Sequence, residues 1–111
     1  MKLKSIILAG TMATAATGVT AEGVKVGMIT TLSGGGAGLG IDVRDGFMLA
    51  VAQSGRDDIE VVIEDDQRKP DVAVQLSDKM IQSEKVDILT GIIWSNLAMA
   101  VVPGAVAQGK I

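Results

Sequence analysis

From Val24 onward the chain alternates strand-like runs with helix-like ones, and this alternation narrows the accessible folds more than any other feature. Val24 to Leu32 is rich in Val, Ile and Thr and ends in Ser33-Gly34-Gly35-Gly36, which reads as a buried strand running into a loop. Leu39, Val43, Phe47, Ala50 and Val51 then recur at helical spacing, with Asp42, Arg44, Asp45 and Gln53 on the other side and Ser54-Gly55 as the stop. Glu60 to Asp65 forms a second strand, closed by Asp66-Gln67-Arg68-Lys69. Pro70 suits the first position of a second helix, Asp71 complements its positive end, and Val72, Ala73, Leu76, Met80 and Ile81 make its apolar stripe. Asp87 to Ile93 reads as a third strand, and Trp94-Ser95-Asn96 turns into a last helix that Pro103-Gly104 is expected to kink or interrupt. Met48, Met80 and Met99 sit on or beside apolar stripes and are expected in the core, and Gln108 to Ile111 reads as a helix stop followed by the first residue of another strand.

Strands that alternate with helices pair in parallel through right-handed crossovers, so the fold class is α/β: a three-layer, doubly wound parallel sheet whose strand order begins 2-1-3. That order leaves the third strand at an edge. Its run Ile88-Leu89-Thr90-Gly91-Ile92-Ile93 is nearly all apolar, as in a strand paired on both sides, so a fourth strand is expected beside it from further polypeptide. Residues 22–111 are accordingly expected to be an incomplete lobe.

The first 21 residues have the pattern of a secretory signal: a basic start at Lys2 and Lys4, an apolar stretch from Ser5 to Ala16, and Val19 and Ala21 at the positions a signal peptidase reads, with cleavage expected after Ala21. About 20 apolar residues are needed to cross a bilayer, more than this stretch holds, so no membrane insertion is expected after cleavage. All 13 acidic residues but only eight of the ten basic ones follow Ala21, a formal charge of −5 that argues against nucleic acid and anionic lipid. Cysteine is absent, so no disulfide and no lipid anchor is expected, and a soluble periplasmic location follows. Histidine is absent too, which removes the usual general base and the commonest metal ligand; no enzyme activity and no cofactor are expected.

With the order 2-1-3, a ligand crevice is expected between the carboxyl ends of the first and third strands, where successive crossovers leave on opposite faces. Ser33 to Gly40 and Trp94 to Leu97 meet there, each leading into a helix N-terminus whose free N–H groups favour an anion, a carboxylate above all. Ser95 and Asn96 add side-chain donors, although either also suits the N-cap of the last helix. Trp94 is placed at the crevice rim or in the core. The glycines form no nucleotide fingerprint: no window matches G-x-G-x-x-G, and Ile41 and Asp42 stand where a P-loop needs Lys and Ser or Thr. Glu64-Asp65-Asp66 is assigned to turn-making and helix-start electrostatics, not to a metal.

The succession Val24 to Gly34, Gly38-Leu39-Gly40 through Asp45-Gly46-Phe47, Asp65-Asp66 with Pro70 and Ala73, and Gly91 with Ser95-Asn96 resembles the start of a type I periplasmic solute-binding protein. More narrowly it is similar to the leucine/isoleucine/valine-binding receptors of ABC importers and their relatives for aromatic or other carboxylic acids. The resemblance implies an N-terminal lobe of a two-lobe receptor that closes on a small carboxylate and presents it to a membrane permease. It implies that Ser95 takes the ligand carboxylate through hydroxyl and backbone N–H, that Asn96 and Leu97 line the same helix start, and that Ser33 and Gly34 lie near the cleft. Leu39 stands where branched-chain amino-acid receptors can carry a tryptophan over the ligand side chain, so a branched-chain amino acid and an aromatic acid both stay open as solutes.

Two other classes fit less well. A flavodoxin-like signalling domain needs acids after the first strand and an aspartate after the third, where Leu32-Ser33 and Trp94-Ser95 stand. A secreted α/β hydrolase needs a glycine after its nucleophile and a base, whereas Leu97 follows Asn96 and no histidine exists. Half a site holds little: residues 22–111 alone are expected to show no calorimetric binding of any solute at micromolar concentration, and heat of binding in that range contradicts the two-lobe reading.

Overall fold

A computed structural model describes residues 23–111. The signal expected over residues 1–21 lies outside them. Three strands, β1 (Val24–Thr30), β2 (Ile59–Asp65) and β3 (Ile88–Thr90), alternate with three helices, α1 (Ala37–Gln53), α2 (Pro70–Gln82) and α3 (Ser95–Ala107). The sheet order is β2-β1-β3 and both pairings are parallel. β1 and β2 pair along their full length, from Val24 with Ile59 to Thr30 with Asp65, whereas β3 meets β1 only from Val26 with Ile88 to Met28 with Thr90. Right-handed crossovers in this order send α1 to one face and α2 and α3 to the other.

The α2/α3 face holds the main core. Ile29 and Leu89 from the sheet pack with Ala73, Met80 and Ile81 of α2, with Leu97, Val101 and Ala105 of α3, and with Val86. α2 reaches β1 closely because residue 27 is glycine: a Cβ there would lie 2.7 Å from Met80 Sδ and 3.0 Å from Leu89 Cδ2. The expected stripe of α2 is thus the observed one, with Val72 and Leu76 half-buried at its margin. In α3 the buried residues are four apart, one stripe on a helix that is apolar nearly all round.

Several expectations need correction. β3 is three residues long, not seven, because Gly91 takes φ 99° and leaves the ladder; its backbone passes so near β1 that a Cβ would stand 2.7 Å from Met28 Cγ. α3 continues through Pro103 without interruption. The carbonyl that the missing N–H would have met belongs to Met99, on the exposed side of the helix where water can reach it. Met99 is 79% exposed, and Met48 is also exposed, so Met80 alone of the three occupies the core. On α1 only Gly40 is buried; Val43, Phe47 and Val51 are half-buried, while Leu39 and Ala50 are exposed. The reason is that α1 lies over the sheet without a second helix beside it among the described residues, so its stripe is covered on one side only.

The chain beyond α3 returns to the outer edge of β3, where Leu89 N–H donates to the Lys110 carbonyl at 2.6 Å. This is the position expected of a fourth strand.

α1 is pinned by close backbone contact. A Cβ on Gly40 would lie 1.8 Å from the Thr31 carbonyl oxygen, which no side-chain motion relieves, whereas Gly46 in the same helix faces open space. Gly40→Ala is therefore expected to destabilise by at least about 1–3 kcal/mol, and Gly46→Ala to stabilise by up to about 1 kcal/mol through helix propensity. Urea unfolding of the two variants measures both signs, and equal effects would contradict this packing.

Candidate functional site

The carboxyl ends of the three strands are tied together by side chains. Thr31, directly after β1, is fully buried; its hydroxyl donates to Asp66 Oδ1 at 2.6 Å and accepts from Trp94 Nε1 at 2.8 Å. Asp66 follows β2 and Trp94 precedes α3, so one hydroxyl joins all three connections. Arg68 closes the circuit twice. Its backbone N–H donates to Asp66 Oδ1 at 2.8 Å, and its guanidinium carbon lies 3.8 Å from the Trp94 ring centroid.

Asp65 does a parallel task one residue earlier. Its carboxylate accepts from Leu32 N–H at 2.8 Å, from Gln67 N–H at 2.9 Å and from the Ser33 hydroxyl. Burial pushes this carboxyl up, but the hydrogen bonds from Ser33, Leu32 and Gln67 outweigh burial and hold it below its ordinary value. Between them the two aspartates hold the turn Asp66–Lys69, closed by Lys69 N–H on the Asp66 carbonyl at 2.9 Å. Gln67 and Arg68 both have positive φ there, 54° and 58°, a left-handed conformation costing roughly 1–2 kcal/mol per residue with a side chain. Of Glu64-Asp65-Asp66, expected to make the turn, the two aspartates do so, whereas Glu64 pairs with Lys79 of α2 at 3.2 Å.

The residues expected at the crevice are brought to one rim. The Ser33 loop and the Trp94 loop touch: Gly36, at φ 94°, lies so close to the indole that a Cβ would sit 2.5 Å from Trp94 Cζ2. Ser33, Gly34, Ser95 and Asn96 are exposed there, and Leu39 projects from the first turn of α1 with 56% of its surface free. Trp94 is half-buried, its N–H satisfied by Thr31 and one face covered by Arg68. Leu97 differs from expectation, because its side chain is fully buried in the α2/α3 core and only its backbone can face the rim. Neither Ser95 nor Asn96 is the N-cap of α3. Trp94 takes that position with extended backbone, and its carbonyl accepts from Ala98 N–H at 2.9 Å.

No side-chain cap closes α1 or α3. At α1 the Ala37 and Leu39 N–H groups turn back onto the Gly34 and Gly36 carbonyls, at 3.2 and 3.1 Å. At α3 the first turn stays open, with the Ser95 hydroxyl beside it, and the positive dipole end favours an anion. An apolar groove lies elsewhere, along Ala98, Met99, Val102 and Pro103 on the outer side of α3. Thr31, Asp66 and Arg68 were not among the expected site residues; the signal for Thr31 was the indole N–H of a half-buried tryptophan, which demands an acceptor nearby.

Residues 23–111 match the family model described as periplasmic binding protein. No curated protein gives a match. Among solved structures, an ABC transporter substrate-binding protein from Sphaerobacter thermophilus is 30% identical with a TM-score of 0.77, over 80% of this chain and 25% of its own. A solute-binding protein of an R. palustris ABC transporter, in complex with benzoate, is 40% identical with a TM-score of 0.72, over 78% of this chain and 25% of its own. The branched-chain amino acid transporter substrate-binding protein LivJ of Streptococcus pneumoniae, in complex with isoleucine, is 26% identical with a TM-score of 0.72, over 79% and 27%. The chain thus spans about a quarter of the length of the solved proteins it matches.

Asp65 binds its proton more weakly in the folded chain than in the unfolded one, so its stabilising contribution is present above the unfolded carboxylate value, near about pH 4, and is lost as the pH falls below it. Asp65→Asn removes the titrating group. Urea unfolding between about pH 6 and pH 3 is expected to show a less stable variant at the upper end and a shallower acid loss than the wild type; parallel curves would overturn the assignment.

Proposed function

The chain belongs to the periplasmic binding protein family, and from that premise we propose that it forms part of the N-terminal lobe of an ABC-importer receptor that binds a small carboxylate between two lobes. The family and its solved neighbours imply an extracytoplasmic location, and those neighbours are binding proteins, not enzymes. The observation that carries the ligand class is the uncapped start of α3 beside an exposed Ser95, held against the Ser33 loop by the Trp94–Thr31 bond. Three complexes among the neighbours, with benzoate, 3,4-dihydroxybenzoic acid and isoleucine, share a carboxylate as their common group.

In this reading Ser95 donates its hydroxyl and backbone N–H to the carboxylate, Asn96 adds a side-chain donor, and Leu97 contributes its backbone N–H alone. Ser33 and Gly34 form the facing wall, and Leu39 covers the apolar part of the solute. The second lobe supplies the remaining contacts, closure about a hinge stabilises the bound form, and a membrane permease receives the solute. Residues 1–21 direct export to the periplasm.

Thermal-shift screening of the complete gene product against aromatic acids and amino acids is expected to find a stabilising carboxylate. Ser95→Ala then weakens that solute by about tenfold to a hundredfold in calorimetry, the loss of a hydrogen bond to a charged group. Undiminished affinity in Ser95→Ala excludes this half-site.

A further inference from the structure

Arg68 is the one arginine of the described residues without a carboxylate partner. Arg44 pairs with Asp45 at 2.9 Å on α1 and Arg56 with Asp58 at 2.7 Å at the amino ends of the strands, both away from the carboxyl ends, while Arg68 enters no ion pair among the described residues. It is nonetheless held in place. The Trp94 ring lies under its guanidinium at 3.8 Å, and Asp66, itself fully buried, fixes its backbone N–H. Its Nη1 stands 3.8 Å from the position a Cβ would take on Gly35, which puts the charge beside the Ser33 loop at the rim where the proposed solute site opens. The turn that presents it keeps Gln67 and Arg68 in a left-handed conformation that glycine would adopt without strain. A turn needed only to connect β2 to α2 gives no reason for a long cation at that position.

Stacking uses one face of a guanidinium and leaves its N–H edges free to receive an anion, and the planar fork matches a carboxylate better than a lysine ammonium does. We propose that Arg68, laid on Trp94, is a specificity-determining residue of the solute site that favours a carboxylic acid lacking an ammonium group over a zwitterionic amino acid. The inference rests on the receptor reading and narrows it. The positive charge at the rim adds to the dipole end of α3 in attracting a carboxylate, and it repels an α-ammonium group brought to the same side. No other cation of the described residues is stacked on an aromatic ring.

The test uses the complete gene product with benzoate and L-isoleucine as probes in calorimetry. The wild type is expected to prefer benzoate. Arg68→Met keeps a flexible side chain able to lie on the indole but removes the charge; it is expected to lose about tenfold or more of benzoate affinity while isoleucine affinity holds or rises. Arg68→Lys is expected to fall between the two, since it keeps the charge without the fork. A benzoate affinity unchanged in Arg68→Met, or equal losses for both probes, overturns the proposal: the first leaves Arg68 no part in recognition, and the second makes it a structural clamp. If the wild type binds neither probe, the receptor reading falls for these solutes and this inference with it, an outcome distinct from a wild type that binds but ignores the substitution. Should Arg68→Met fail to fold, the same ratio measured in Arg68→Lys decides, because a preserved preference there without any drop in benzoate affinity contradicts the role of the fork.

Discussion

The hydroxyl of Thr31 is the junction on which the crevice depends. It is buried, accepts the Trp94 indole N–H and donates to Asp66, so the loops after β1, β2 and β3 are joined at a single oxygen atom. Parallel strands by themselves would align three loop starts at one end of the sheet without setting their separations. The hydrogen bonds set them. With Trp94 fixed, Ser95 begins α3 at a defined place, and with Gly36 packed on the indole the Ser33 loop faces it. Buried polar groups of this kind are costly when unpaired, and in this network Asp66 Oδ2 is buried without a hydrogen-bond partner among the described residues.

The two faces of the sheet are built differently. α2 and α3 pack against each other and against β1, and nearly all fully buried aliphatic side chains belong to that layer. α1 is held mainly at its beginning, where Gly40 lies on the Thr31 backbone, and its later turns carry exposed Met48 and Leu49. Thr31 therefore serves both faces: its side chain fastens the loops and its carbonyl receives the closest approach of α1. The site and the packing of α1 share one residue.

Strand order, element sequence and the convergence of two loops were legible because each follows from hydrophobic period and crossover handedness, which local sequence carries. The α2 stripe was read correctly for the same reason, since its apolar residues face a complete neighbour. Met48 and Met99 were misread because periodicity states which face can be buried, not whether anything covers it. The end of β3 at Gly91 was missed because the near-continuous apolar run through Ile93 looks like strand until a positive φ is known. Leu97 shows the limit most plainly: it stands in the first turn of α3 as expected, yet that placement does not reveal that helical rotation turns its side chain into the core. Arg68 went unnoticed because its partner is an aromatic face 26 positions away in sequence, and no spacing rule connects the two.

Asp65 and Asp66 are chemically identical neighbours with separate sets of partners. The first serves Leu32, Ser33 and Gln67, the second Thr31 and Arg68. A dipeptide that looks redundant in composition is thus a two-sided fastener whose halves cannot substitute for each other. Losing either one loosens a different wall of the same opening, so the damage from each is distinguishable by which loop shifts and not by how much charge is gone.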